Sequence, residues 1–215
     1  MTQQTKNNST KHTTWIKRFC SQKGKEFFCQ VSKEYVNSNF NLFGLQKNSE
    51  HIKSVLKIIR DEKVPELELM TKKEKEQVYA QTVLIYGLIH ARYILTDEGM
   101  RKMERKYLQG VFGKCPNIFC KRQPCLPLGR SDQPHKSAVK LYCPKCREIY
   151  LPKQKYRIFD GAFFGTTFAH MILNVRPTLQ PTSPPRKYIP KIFGFEIYNS
   201  VPNNSINSDE DKKIK

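Results

Sequence analysis

The apolar residues of this 215-residue chain fall in short periodic runs whose spacing changes from helical to strand-like about halfway along. Residues 1–14 have no periodic apolar positions and are rich in Thr, Asn, Gln and Lys, so they are expected to be disordered. From Trp15 the pattern becomes regular. Trp15, Ile16 and Phe19 are followed by Phe27, Phe28, Val31, Tyr35 and Val36, then by Phe40, Leu42, Phe43 and Leu45, with breaks at Gly24, Asn37 and Gly44. Such runs predict short helices joined by turns. Ile52, Val55, Leu56 and Ile59 predict a fuller helix that ends before Pro65. Residues 53–76 carry seven basic and six acidic side chains and read as a mixed-charge, solvated face or loop. Val78, Leu84, Ile85, Leu88 and Ile89 form a dense stripe within 78–95, which predicts a central buried helix. Thr96 and Asp97 cap a further helix through Met100, Met103 and Tyr107, and Gly110 and Gly113 release the chain from it.

After Gly113 the period shortens. Val139, Leu141 and Tyr142 form one strand and Ile149 to Leu151 another, while Phe168 to Val175 and Lys191 to Tyr198 are apolar segments separated by a proline-rich stretch. The fold class is therefore α+β: a mostly helical N-terminal domain, then a small module with short β-strands, then an extended C-terminal segment. The expected boundaries are 1–14 (disordered), 15–109 (helical), 110–176 (strand module), 177–200 (C-terminal segment) and 201–215 (disordered tail).

The cysteines supply the chemistry. Cys115 and Cys120 read Cys-x4-Cys, and after 22 intervening residues Cys143 and Cys146 read Cys-x2-Cys. Two tight turns, CPNIFC and CPKC, each present two thiolates, and a hairpin between them brings four sulfurs to one tetrahedral metal at about 2.3 Å. The prediction is one zinc per chain. With four protein ligands no position stays open for water, so the ion is structural rather than catalytic. Free buried thiols or a disulfide pair are the plainer alternatives. Cys20, Cys29 and Cys125 are left over and read as small packed hydrophobes. The odd total of seven fits a reducing compartment. With no apolar run of about 18 residues and no signal-peptide pattern, the chain reads as soluble and intracellular, in cytoplasm, nucleus or both, with no membrane partner.

Charge changes the picture in one respect. With 38 Lys+Arg against 19 Asp+Glu, the net charge of +19 attracts polyanions in a salt-dependent way, and a basic zinc-ribbon protein that binds nucleic acid is an alternative reading. A dithiol enzyme built on CPKC is a weaker one, since thioredoxin-like chemistry expects a βαβ setting. The five histidines are scattered, without a neighbourhood that argues for catalysis.

The segments WIKRFC, EFFCQV, FNLFGL, YGLIHARYILT, CPNIFC, QPCLPLG, KLYCPKC, DGAFFGTTFAHM and IPKIFGFEI occur in an order and spacing that resemble the regulatory (beta) subunit family of casein kinase II, over roughly Trp15 to Tyr198. The resemblance implies a helical domain, a zinc ribbon that forms a homodimer, and a C-terminal segment that docks on the small lobe of the catalytic (alpha) subunit. It implies a tetramer of two regulatory and two catalytic chains, in which this chain transfers no phosphate but stabilises the holoenzyme and modulates its choice of protein substrates. Consistent with that, the chain has no glycine-rich phosphate loop and no VAIK, HRD or DFG signature. In the family's arrangement Pro116, Ile118, Phe119 and Ile149 are the candidates for the dimer face; packing inside the ribbon is the other reading of these four. Phe193 and Phe195 flank Gly194 and, with Met171 and Ile192, are the candidate kinase-binding patch. An extended or hairpin conformation is expected to project both rings from one face. The family usually has Tyr where this chain has Phe193. Without the resemblance, Phe193 and Phe195 read equally well as core residues of a terminal strand.

The chain also departs from the family. Its acidic loop, matched by 61–71, is diluted by Lys63 and followed by Lys72, Lys73 and Lys75, so the resemblance does not carry polyamine-type activation over. In place of an N-terminal autophosphorylation segment stands MTQQTKNNST. Ser208, followed by Asp209, Glu210 and Asp211, is a candidate phosphosite.

Overall fold

The computed structural model describes residues 13–45, 51–186 and 188–197. The segments expected to be disordered at either end, and Ser208, lie almost wholly outside these residues. The chain divides into two units at Pro185 and Arg186.

In the first unit, helices α1 (Trp15–Ser21), α2 (Lys33–Asn37), α3 (Asn39–Leu42), α4 (Ile52–Ile59), α5 (Glu66–Leu69), α6 (Lys72–Tyr93) and α7 (Asp97–Leu108) precede a three-stranded antiparallel sheet of β1 (Leu126–Leu128), β2 (Lys140–Tyr142) and β3 (Ile149–Tyr150), and α8 (Phe168–Val175) follows it. This is the α+β class with a helical N-terminal region. No helix among the described residues is long and apolar enough to cross a membrane.

Helix α6 starts six residues before its apolar stripe, inside the stretch that reads as solvated. A capping box explains the difference. The Thr71 hydroxyl accepts from the Glu74 N–H at 3.4 Å, and the Glu74 carboxylate accepts from the Thr71 N–H at 2.7 Å, which satisfies donors that would otherwise be orphaned at the helix end. The Thr-x-x-Glu signal is present in the sequence, and the surrounding lysines mask it. Thr96 caps α7 as expected, accepting from the Gly99 N–H at 3.2 Å.

The core joins the helices to residues 156–164. Phe19 stacks on Trp15 and meets Tyr86 edge-on, with centroids 5.1 Å apart in both pairs. Phe28 lies 5.2 Å from Phe159 and 5.4 Å from Phe164, and Phe27 stacks on Tyr156 at 4.0 Å. Aromatic pairs at these separations add about 0.5–1.5 kcal/mol beyond their buried area. Gly87 lets the Phe163 ring lie against α6, since a Cβ there would fall 2.2 Å from that ring. Three residues on, His90 is fully buried. Its Nε2 accepts from the Cys29 N–H at 3.1 Å, and its Nδ1 donates to the Phe163 carbonyl at 2.8 Å, the tautomer that these two partners require. The change from helices to strands near residue 110 is thus a change of local architecture within one compact unit.

The second unit contains a hairpin in which β4 (Lys191–Ile192) pairs with β5 (Phe195–Glu196), with Ile192 opposite Phe195. Lys191 and Glu196 form an ion pair at 3.2 Å across it.

Candidate metal centre

Each knuckle is built by a turn that reverses the chain within a few residues. In the first, the Asn117 side chain accepts from the Phe119 N–H at 2.9 Å, a single 3-10 turn follows over Ile118–Cys120, and Lys121 and Arg122 take positive φ values of 52° and 59°. In the second, the Arg147 N–H donates to the Cys143 carbonyl at 2.8 Å, the Cys143 N–H donates to the Glu148 carbonyl at 3.0 Å, and Arg147 has φ 61°. Left-handed conformations cost a residue with a Cβ about 1 kcal/mol or more. Non-glycine residues adopt them here directly after the second cysteine of each knuckle, where the chain reverses.

The result is one cluster. The sulfurs of Cys115, Cys120, Cys143 and Cys146 all lie within 4.8 Å of one another, and those of Cys115 and Cys146 are 3.8 Å apart. A tetrahedron with metal–sulfur bonds of about 2.3 Å has sulfurs about 3.8 Å apart, so the donor set fits a zinc-sized ion. None of the four cysteines is in a disulfide. Cys115, Cys120 and Cys143 are buried and Cys146 is half-buried. Burial pushes the Cys120 thiol well up and the Cys143 thiol to about 11, because removal from water disfavours the charged sulfur. A dication held by four thiolates would favour the charged form instead. At Cys146 the burial effect is outweighed by hydrogen bonds, first from the Tyr150 hydroxyl 3.3 Å away, and the net shift is downward. Tyr150 thus supports the cluster from outside, as partners of ligating sulfurs do. The sequence pattern marks Tyr150 only as a strand residue. The cations that flank the cysteines in the sequence, Lys114, Lys121, Arg122, Lys140, Lys145 and Arg147, are all exposed or half-buried, and four thiolates that hold a dication carry a formal charge of minus two.

The candidate dimer residues are mostly on the surface. Ile118 is 79% and Ile149 49% exposed, Pro116 is exposed, and Phe119 is half-buried. For the first three, packing inside the ribbon is therefore not what the structure shows. Leu151, 56% exposed, extends the exposed apolar set and was not among the sequence candidates.

In the hairpin, Phe193 and Gly194 occupy the two turn positions with φ 50° and 87°. Both central residues at positive φ is the arrangement of a type I′ turn, which Asn-Gly normally fills. The two rings are therefore not related by strand alternation, contrary to the expectation that both project from one face. The residue across the ladder from Phe195 is Ile192, and Phe193 stands at the tip, 97% exposed. All three are exposed, so the reading of the two phenylalanines as strand core does not hold. Met171, on α8 in the first unit, is also exposed.

A family model described as "Casein kinase II regulatory subunit" matches residues 14–196. The chain is 45% identical over 188 residues to "Putative casein kinase II subunit beta-4" of Arabidopsis thaliana, an alignment that covers 87% of this chain and 66% of that protein. It is 43% identical over 194 residues to "Casein kinase II subunit beta'" of Drosophila melanogaster (86% and 84% covered), and 44% identical over 186 residues to "Casein kinase II subunit beta" of Schizosaccharomyces pombe (86% and 79% covered).

Proposed function

The chain belongs to the casein kinase II regulatory subunit family, and from that premise we propose that it is a non-catalytic subunit that joins two catalytic chains in a two-plus-two assembly. Cys115, Cys120, Cys143 and Cys146 hold one structural zinc, which contributes on the order of 10 kcal/mol to a small module. The rigid ribbon pairs with its copy about a two-fold axis through Pro116, Ile118, Phe119 and Ile149. A two-fold interface must be self-complementary, and apolar side chains on a rigid ribbon meet that need. Ile192, Phe193 and Phe195, with Met171 as a further candidate, contact the catalytic subunit, and the assembled complex is more stable and differently selective toward protein substrates than the catalytic chain alone. The compartment is intracellular.

The observation that carries the docking reading is the ring of Phe193. A bulky residue in a left-handed turn position costs free energy, and at 97% exposure nothing in the hairpin recovers it. Aromatic residues that become fully desolvated at an interface are the usual source of such recovery, and truncating one commonly costs about 2 kcal/mol or more. Titrating the casein kinase II catalytic subunit with the wild-type chain and with the Phe193→Ala/Phe195→Ala double variant tests this. We expect the variant to bind at least about 30-fold more weakly, the equivalent of about 2 kcal/mol, while it still dimerises. Wild-type affinity in the double variant would refute the assignment. The basic zinc-ribbon reading predicts instead no kinase binding, with association to nucleic acid that falls steeply with salt.

A further inference from the structure

Five of the seven cysteines lie in the ribbon, and the four-sulfur cluster uses four of them. Cys125 is the fifth. Strands β1 and β2 pair with Leu126 opposite Tyr142 and Pro127 opposite Leu141. One further step along that register sets Cys125 opposite Cys143, on the same face of the sheet. The two residues do not bond to each other through the backbone: the Cys125 N–H donates to the Gly113 carbonyl and the Cys143 N–H to the Glu148 carbonyl, each at 3.0 Å. Opposed residues that exchange no backbone bonds form the narrow pair of an antiparallel ladder, with Cα atoms about 4.5 Å apart and side chains at their closest.

The Cys125 thiol donates to the Gln123 carbonyl at 3.8 Å, a long contact that holds it weakly. At 1% exposure the thiol is sealed beside the cluster. A free sulfur of the same chemistry as a ligand, one cross-strand step from a ligand and only loosely engaged, has the means to take that ligand's place.

We propose that Cys125 is a reserve ligand of the metal centre, able to occupy the coordination position of Cys143 when the Cys143 sulfur is lost. The proposal rests on the zinc reading above. In the exchange the Cys125 sulfur loses its proton to solvent and forms the metal–sulfur bond that Cys143 no longer makes, so four sulfurs still surround the ion and no oxidant or reductant is needed. Cys120 sits in the 3-10 turn Ile118–Cys120, outside the β1–β2 ladder, and among the described residues no strand register sets a further cysteine opposite it, so its loss leaves three sulfurs.

The test measures zinc per chain by mass spectrometry of the metal, and counts thiolates from the absorption of the cobalt(II)-substituted protein. Full-length wild type, Cys143→Ser, Cys143→Ala, Cys120→Ser and the Cys125→Ser/Cys143→Ser double variant are compared. We expect about one zinc per chain in wild type and in both single Cys143 variants, with a four-thiolate cobalt spectrum in each. Cys120→Ser and the double variant lose the metal. The inference is overturned if both Cys143 variants lose the metal or fail to fold, if they keep it with a three-thiolate spectrum, or if the double variant keeps as much as Cys143→Ser. Wild type without zinc would overturn the zinc reading and this inference with it, whereas zinc in wild type and none in the Cys143 variants would overturn this inference alone.

Discussion

The aromatic core around α6 and the two cysteine knuckles occupy the same compact unit but are stabilised by different physics. In the core, Phe19, Phe27, Phe28, Tyr86, Phe164 and Phe168 are each buried to within 2% exposure, and the load is spread over many ring contacts. Across the knuckles, residues 114–124 and 143–148, the buried residues are Cys115, Cys120, Cys143 and Pro144 alone. The knuckles thus have almost no apolar area to hold their strained turns, and their order depends on four sulfur atoms. A distributed core loses a little with each change. A concentrated one loses everything at once.

The largest expected effect breaks this contrast from the knuckle side. Cys120→Ser, or removal of zinc by a chelator, is predicted to cost on the order of 10 kcal/mol at the centre. Hydrogen exchange should then become fast through 114–124 and 143–148 while the amides of α6 stay protected. Next in size is a change from the core side: Phe28→Ala removes a ring that touches Phe19, Phe159, Phe164 and His90, and should cost about 3–5 kcal/mol in denaturant unfolding with zinc still bound.

A pH effect comes third and belongs to the core alone. Burial lowers the pKa of His90 from the usual 6.5 to about 4, partly offset by its bond to the Phe163 carbonyl, with Lys106 adding to the lowering. The unfolded chain therefore takes up a proton below about 6.5 that the folded chain refuses until about 4. Stability from this group is constant above that window and falls as pH drops through it, by up to about 3 kcal/mol. Denaturant unfolding of wild type and His90→Gln between those pH values checks this, and the variant should show a correspondingly flatter slope. The smallest effect concerns the hairpin: Phe193→Asn relieves the turn position and should raise local protection of β4 and β5 by about 1 kcal/mol, while it weakens kinase binding.

How much of this was legible in the sequence follows the same division. The four clustered cysteines are local in sequence, two and two, and their spacing states the geometry almost directly. The apolar stripe of α6 and the Thr96 cap are local too. What escaped depends on distant partners. His90 looks idle in the sequence because its two hydrogen bonds reach residues 61 and 73 positions away. Cys125 looks like a small packed hydrophobe until the β1–β2 register sets it against Cys143. The packing of residues 156–164 on α6 needs the fold itself, and the positive φ of Phe193 runs against the preference of its residue type, which sequence rules can only follow.

The central claim, that the four-sulfur ribbon organises a regulatory dimer that holds two kinase chains, is tested most directly by mass. Light scattering on a sizing column should give a dimer of about 50 kDa for the chain alone, twice 25.2 kDa, and a two-plus-two complex when the casein kinase II catalytic subunit is added. Chelation of zinc should return the chain to monomer mass and break the two-plus-two complex. A dimer that persists after complete zinc removal, or catalytic and regulatory chains that elute separately at micromolar concentration, would contradict the account.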